Sequence, residues 1–173
     1  MKKILFVFST MFFFTLALSS CKKDKISSNN SNEEYIDLGL PSGTKWKSTN
    51  ENGNGIGFYF FEEAVRIFGN QLPTKVQFEE LKYYCTWTWQ NNESCKVTGT
   101  NGNFIILPAA GFVDPYEGTT DGDGGGYYWS STPCVGEEAC SYSLLFGEDE
   151  GEIWEGVGYF PRNYGLSVRL VQQ

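Results

Sequence analysis

Residues 72–98 read LPTKVQFEELKYYCTWTWQNNESCKVT, and the periodicity changes in the middle of them. Thr74 and Gln77 are spaced as a capping box, in which hydroxyl and side-chain amide satisfy opposite backbone groups at a helix start. Behind it, Val76, Phe78, Leu81 and Tyr84 supply a buried helical stripe. From Cys85 onward the grammar is that of strands: CTWTWQ alternates, NNES reads as a turn, and CKVTG resumes a strand. A hairpin centred near Gln90 would set Cys85 opposite Cys95. Trp87 and Trp89 lie two apart and share one strand face. They are expected to serve the core rather than a stacking platform.

Upstream, EYIDL (34–38) and TKWKST (44–49) read as strands joined by a Pro41-Ser42-Gly43 turn. In GFYFFEEAVRIFGN, Phe60 or Phe61, Ala64, Val65 and Phe68 recur at helical steps, and Gly69-Asn70 can end that helix. Downstream, strands are expected at 85–90, 95–98, 104–107, 127–131, 141–146, 153–159 and 166–171. A glycine-rich loop (Asp121 to Gly126) and an acidic turn (Gly147 to Glu152) interrupt them. Trp129 is assigned to the core. Two early helices followed by antiparallel strands make an α+β arrangement, two helices packed on small antiparallel sheets.

The chain begins with Lys2-Lys3 and the apolar run ILFVFSTMFFFTLAL, long enough for an export signal and short for a membrane span. Leu18-Ser19-Ser20-Cys21 resembles a lipobox: an aliphatic residue, two small residues, and the thiol that takes diacylglycerol. The expected organisation is a signal peptide over 1–20, a lipidated Cys21 with a polar tether over 21–33, and a globular domain over 34–173. Lys22 stands where an aspartate commonly marks inner-membrane retention. The outer membrane is therefore expected, with the domain at the cell surface or facing the periplasm.

The 173 residues carry 13 basic and 21 acidic side chains, a net charge of −8. Cleavage before Cys21 removes Lys2 and Lys3 and takes the net charge to −10. Such a field repels nucleic acid. Besides Cys21 there are four cysteines, Cys85, Cys95, Cys134 and Cys140. In an exported protein they read as disulfides, three pairings are open, and the local one is expected. The chain has no histidine. That excludes Ser-His-Asp and Cys-His catalysis and weakens any metal reading. Neither cofactor nor metal is expected, and no enzymatic activity.

Seven blocks in order (YIDLGLPSGTKW, LPTKVQFEEL, CTWTW, KVTGTNGN, ILPAAGF, YYWSSTP and RNYGLSVRLV) resemble the Fibrobacter succinogenes major paralogous domain family of secreted and lipoprotein domains. They span most of residues 34–171. The resemblance implies a C-type-lectin-like fold, with the terminal strands in one sheet and ligand-facing loops on another. Cys95 and the Cys134/Cys140 pair look like additions to the family pattern, and the stretch from Trp46 to Phe58 is shorter than usual. The calcium-dependent sugar triplets of that fold are missing, since Trp129 is followed by Ser130-Ser131. Asp121-Gly122-Asp123 only begins a calcium loop, and a plain surface loop is the expectation there.

By analogy with the fold, the ligand-binding candidates are Tyr127, Trp154, Tyr159, Arg162, Asn163 and Tyr164. Aromatic faces with Arg and Asn suit a glycan or protein ligand. The acidic run Glu148, Asp149, Glu150, Glu152 and Glu155 reads as a solvated hairpin tip. The expected role is a binding or adhesion module; the alternatives are a structural lipoprotein in envelope or appendage assembly and, last, a hydrolase or modifying enzyme. For the anchor, Cys21→Ala should abolish palmitate labelling and release the protein from membranes. Full labelling of that variant would contradict the lipobox reading.

Overall fold

Arg169, close to the C-terminus, is 1% exposed, and the chain folds around its guanidinium. Its Nε donates to Asn50 Oδ1 at 2.9 Å, and its two terminal nitrogens donate to the Lys47 and Ile106 carbonyls at 2.7 and 2.6 Å. Asn50 in turn donates to the Tyr128 hydroxyl (3.0 Å), which donates to the Pro108 carbonyl (2.7 Å). Four separated stretches of sequence thus converge on one buried cation. Burial pushes the Arg169 pKa down, while Tyr128 and Glu51 act against that shift.

The computed structural model describes residues 34–90, 93–118, 120–122 and 124–173, all within one compact unit that begins at Asn32. The expected signal peptide, Cys21 and tether lie outside the described residues, as does Asp123 of the expected calcium-loop motif. In chain order the strands are β1 (Tyr35–Asp37), β2 (Lys45–Lys47), β3 (Tyr59–Phe60), β4 (Thr86–Gln90), β5 (Ser94–Thr98), β6 (Phe104–Pro108), β7 (Phe112–Val113) and β8 (Thr120–Asp121). They continue with β9 (Gly125–Pro133), β10 (Cys140–Asp149), β11 (Glu152–Pro161), β12 (Gly165–Leu166) and β13 (Val171–Gln172). Helices α1 (Phe61–Phe68) and α2 (Lys75–Tyr84) follow β3, with a single 3-10 turn between them.

The strands form small sheets ordered β1-β2-β13, β4-β5-β6, β3-β12-β7-β8 and β11-β10-β9. Every ladder between named strands is antiparallel, so the α+β expectation holds. First and last strands share a sheet through Val171 opposite Trp46. Two apolar clusters fill the interior. One joins Trp46, Phe78, Leu81, Val97, Tyr128 and Phe146; the other joins Tyr59, Phe61, Trp129, Leu166, Val168 and Leu170.

Local chemistry explains most elements. The Thr74–Gln77 capping box forms at the start of α2. Its buried stripe, however, is Gln77, Phe78 and Leu81, while Val76 and Tyr84 are exposed. At ~100° per residue Val76 stands about 160° from Phe78, so the two cannot share a face. Gln77 is buried because its Nε2 donates to Thr44 Oγ1 at 3.0 Å. In α1 Phe61 and Ala64 are buried, whereas Val65 is exposed.

The β4–β5 hairpin exists, but its register differs from the expected one. Trp89, not Cys85, stands opposite Cys95. Cys85 closes α2, its N–H donating to the Leu81 carbonyl, so the strand starts one residue later, and its last residue, Gln90, pairs with Ser94. Trp87 and Trp89 pack against the first cluster, and Trp87 Nε1 donates to the Leu81 carbonyl. The single strand expected over 166–171 is instead two short strands with an irregular bridge between them. There the chain changes partners, with Ser167 bonding Tyr127 and Trp129, Val168 bonding Glu51, and Leu170 bonding Lys47.

Replacing Arg169 with leucine would leave the Lys47 and Ile106 carbonyls and the Asn50 amide buried without their donor. We expect a loss of about 3–5 kcal/mol of unfolding free energy in urea titration. A loss below about 1 kcal/mol would mean that water replaces the guanidinium.

Candidate functional site

The three longest strands, β9, β10 and β11, form one sheet whose two faces differ in how they are covered. Register places Tyr128, Leu144, Phe146, Ile153 and Val157 on the inner face. They pack in the cluster that contains Phe78 and Leu81 of α2. The outer face carries Trp129, Tyr127, Ser143, Leu145, Gly147, Trp154, Gly156, Gly158 and Phe160. Three consecutive aromatics, Tyr127, Tyr128 and Trp129, thus serve alternate sides of one strand.

Cover on the outer face is uneven. Trp129, opposite Ser143, is fully buried, its Nε1 donating to the Tyr59 carbonyl at 2.7 Å, with the Phe61 ring edge-on at 5.3 Å. Tyr127, Phe160, Phe112 and Tyr164 pack ring against ring with centroids 5.0–5.5 Å apart. Towards the β10–β11 turn the cover ends. Trp154 stands opposite Gly147, and its indole occupies the space that a Cβ on Gly147 would need. Leu145 likewise lies over Gly158. Gly156, between Trp154 and Gly158 on β11, has nothing within 4 Å of its missing Cβ. The result is a notch floored by Gly156 and walled by Trp154, which is 43% exposed, and Leu145.

Beyond the notch, Glu150 and Gly151 both take positive φ (50° and 86°) and form a two-residue turn between the paired Asp149 and Glu152, the geometry favoured by hairpin twist. The acidic turn expected over 147–152 is therefore mostly strand. Asp149, Glu150, Glu152, Ile153 and Trp154 line a shallow recess of about 390 Å³ there. Glu148, Asp149, Glu150 and Glu152 are exposed, as the hairpin-tip reading expected, whereas Glu155 is half-buried within β11, opposite Phe146.

The six residues singled out from sequence do not assemble into one site. Tyr127 and Tyr164 belong to the aromatic cluster and are half-buried. Arg162 holds its own turn: its Nε donates to the Cys140 carbonyl at 3.0 Å, its guanidinium lies 4.6 Å from the Phe61 ring centroid, and Glu62 is 3.5 Å away. Asn163 is exposed beside it. Trp154 sits eight residues from Arg162, about 26 Å along an extended strand, too far to share a small ligand. Tyr159 is 67% exposed, but an odd offset from Trp154 turns it to the opposite face, across from Tyr142. There Lys75 Nζ lies 4.3 Å from the Tyr142 ring centroid. Sequence reading missed Leu145, Gly147 and Gly156 altogether. The signal was present in WEGVG, where Trp154, Gly156 and Gly158 have one parity.

Neither of the expected local disulfides is formed in the structure, where Cys85, Cys95, Cys134 and Cys140 are all unbonded. Burial, the larger cause, and Glu80 push the Cys85 thiol up to about 11. Burial also pushes Cys95 up to about 11. Among the described residues no cluster of three acidic or cysteine side chains is placed to hold a metal. None of their helices is long and apolar enough to cross a membrane. Compared with models of protein families, with curated proteins and with solved structures, the chain matches none in any of the three.

Proposed function

We propose that this chain is a non-catalytic recognition module, anchored to the outer membrane through a lipid on Cys21, that holds a glycan or protein ligand on the open strip of β10 and β11. The observation that carries this reading is the Trp154 indole, laid over Gly147 and left part-exposed beside the unfilled Gly156. Burying an aromatic face is the strongest contribution a small contact area can make, and a flat indole suits a sugar ring or an extended peptide equally. Exposing it instead has a solvation cost that packing elsewhere in the fold avoids.

The proposed fold is C-type-lectin-like. In its support, the first and last strands share a sheet, two helices follow the opening strands, and a second sheet carries the long β10–β11 hairpin. The lipobox and the −10 charge of the processed chain support the location and argue against nucleic acid. One feature favours a second reading, structural assembly in the envelope: β11 is an edge strand ten residues long, a ready template for strand addition.

Screening the purified protein on a glycan array and against envelope extracts tests the first reading. Trp154→Ala and Gly156→Leu should each weaken any captured ligand at least about tenfold while shifting stability by less than about 1 kcal/mol. The leucine fills the notch without touching the core. Unchanged binding by both variants would move the site elsewhere. Capture that survives both variants but fails when proline interrupts the β11 edge would favour strand addition.

A further inference from the structure

We infer that Cys134 and Cys140 form the one disulfide this chain makes, a clamp across the mouth of the β9–β10 connection, and that Cys85 and Cys95 remain thiols. Pro133 stands opposite Ser141. The ladder ends there; carried one step outward, the same register would set Cys134 opposite Cys140, which are unbonded in the structure. Directly opposed residues in an antiparallel ladder have Cα atoms about 4.5–5.5 Å apart, inside the range a disulfide spans.

The other pair fails the same test. Thr86 stands opposite Thr98, so the register extends Cys85 towards Gly99. Cys95 lies four residues further along β5, about 13 Å away, roughly twice the reach of a bridge. Bridging it would require slipping β4 against β5 by four residues, breaking the register that pairs Trp87 with Val97 and Trp89 with Cys95. Burial also keeps both thiols protonated and so poor nucleophiles. Cys134 and Cys140 are both partly exposed; burial and, after it, the neighbouring Cys140 push the Cys134 thiol up.

The surroundings give the clamp a purpose. Residues 135–139 are all exposed, Val135 at 95%. This segment is tied to the 162–164 turn by Arg162 N–H donating to the Ala139 carbonyl at 2.9 Å, and Arg162 Nε donates to the Cys140 carbonyl. A bridge would hold the segment against that turn. The chemistry is thiol–disulfide exchange with a low-molecular-weight or protein disulfide. One cysteine thiolate attacks it and releases a thiol; the second attacks the mixed disulfide and releases another. Two cysteine thiols are oxidised as one external disulfide is reduced to two thiols.

That such an oxidant is met in the cell rests on the export reading, so the test has two arms. Reduced, purified protein is incubated with oxidised glutathione, alkylated while folded, then unfolded, alkylated again with a heavier reagent, and digested without reduction. The expected result is a linked peptide pair joining Cys134 to Cys140, with Cys85 and Cys95 taking only the second reagent. The melting temperature should rise by about 5 °C, and a C134S/C140S variant should show no rise. A Cys85–Cys95 bridge, a bridge between the two pairs, or four free thiols after oxidation would overturn the inference. The same mapping on protein taken directly from envelopes forms the second arm. A bridge formed with glutathione but absent there would uphold the pairing and count against the export reading.

Discussion

A guanidinium that cannot reach bulk water must find its hydrogen-bond acceptors in the protein. Arg169 finds them on two distant segments, at Asn50 and Lys47, 119 and 122 residues before it, and at Ile106, 63 residues before it. Leaving any one of those acceptors out of place costs more than a typical side-chain contact returns. The position of the C-terminal stretch is therefore set jointly by the turn after β2, by β6, and through Asn50 by Tyr128 of β9. Because Ser167 also bonds the backbone of Tyr127 and Trp129, the same stretch aligns β9 along its length. The orientation of the β9–β10–β11 sheet, and with it the separation of covered from uncovered faces, follows from that alignment.

Once β9 is placed, packing decides which parts of the sheet are free. Its aromatics send Tyr128 to one core and Trp129 to the other, and both are fully buried. A ring cluster around Phe112 extends the second core outward as far as Phe160. Past that limit β10 and β11 offer glycines where neighbours would otherwise need bulk. With Gly147 and Gly158 already roofed by Trp154 and Leu145, the vacancy falls at Gly156. Additional leucine or phenylalanine there would have closed the face, as it is closed elsewhere in the sheet. Glycine at these positions gives up strand stability and keeps an aromatic surface open beside a ring of carboxylates.

Much of this was legible in the sequence where local chemistry governs. The Thr74–Gln77 cap, the switch from helix to strand after Tyr84, and the alternation of β9 to β11 all have short-range signatures. Long-range choices were not legible. Whether Cys85 ends a helix or opens a strand depends on how far α2 runs, and the β4–β5 register, four residues from the expected one, is set by the pairing of Gln90 with Ser94. Residues 166–171 look like a strand because Leu166, Val168 and Leu170 alternate with Ser167 and Arg169, yet the chain changes sheet partners within them. The candidate site failed through geometry rather than residue type. Trp154 and Tyr159 are both exposed, but strand parity sends them to opposite faces, and strand length carries Arg162 away from Trp154. Glycine reads as loop in a sequence, so the floor of the notch was passed over.

In the proposed role, the strip around Trp154 is occupied when the protein is at work. Hydroxyl-radical footprinting of intact envelopes, compared with the purified protein, measures this directly, with the 84% exposed Tyr116 as the internal reference. Oxidation of Trp154 should fall several-fold in the envelope while that of Tyr116 stays unchanged. Equal oxidation of Trp154 in both samples would mean that nothing is held there.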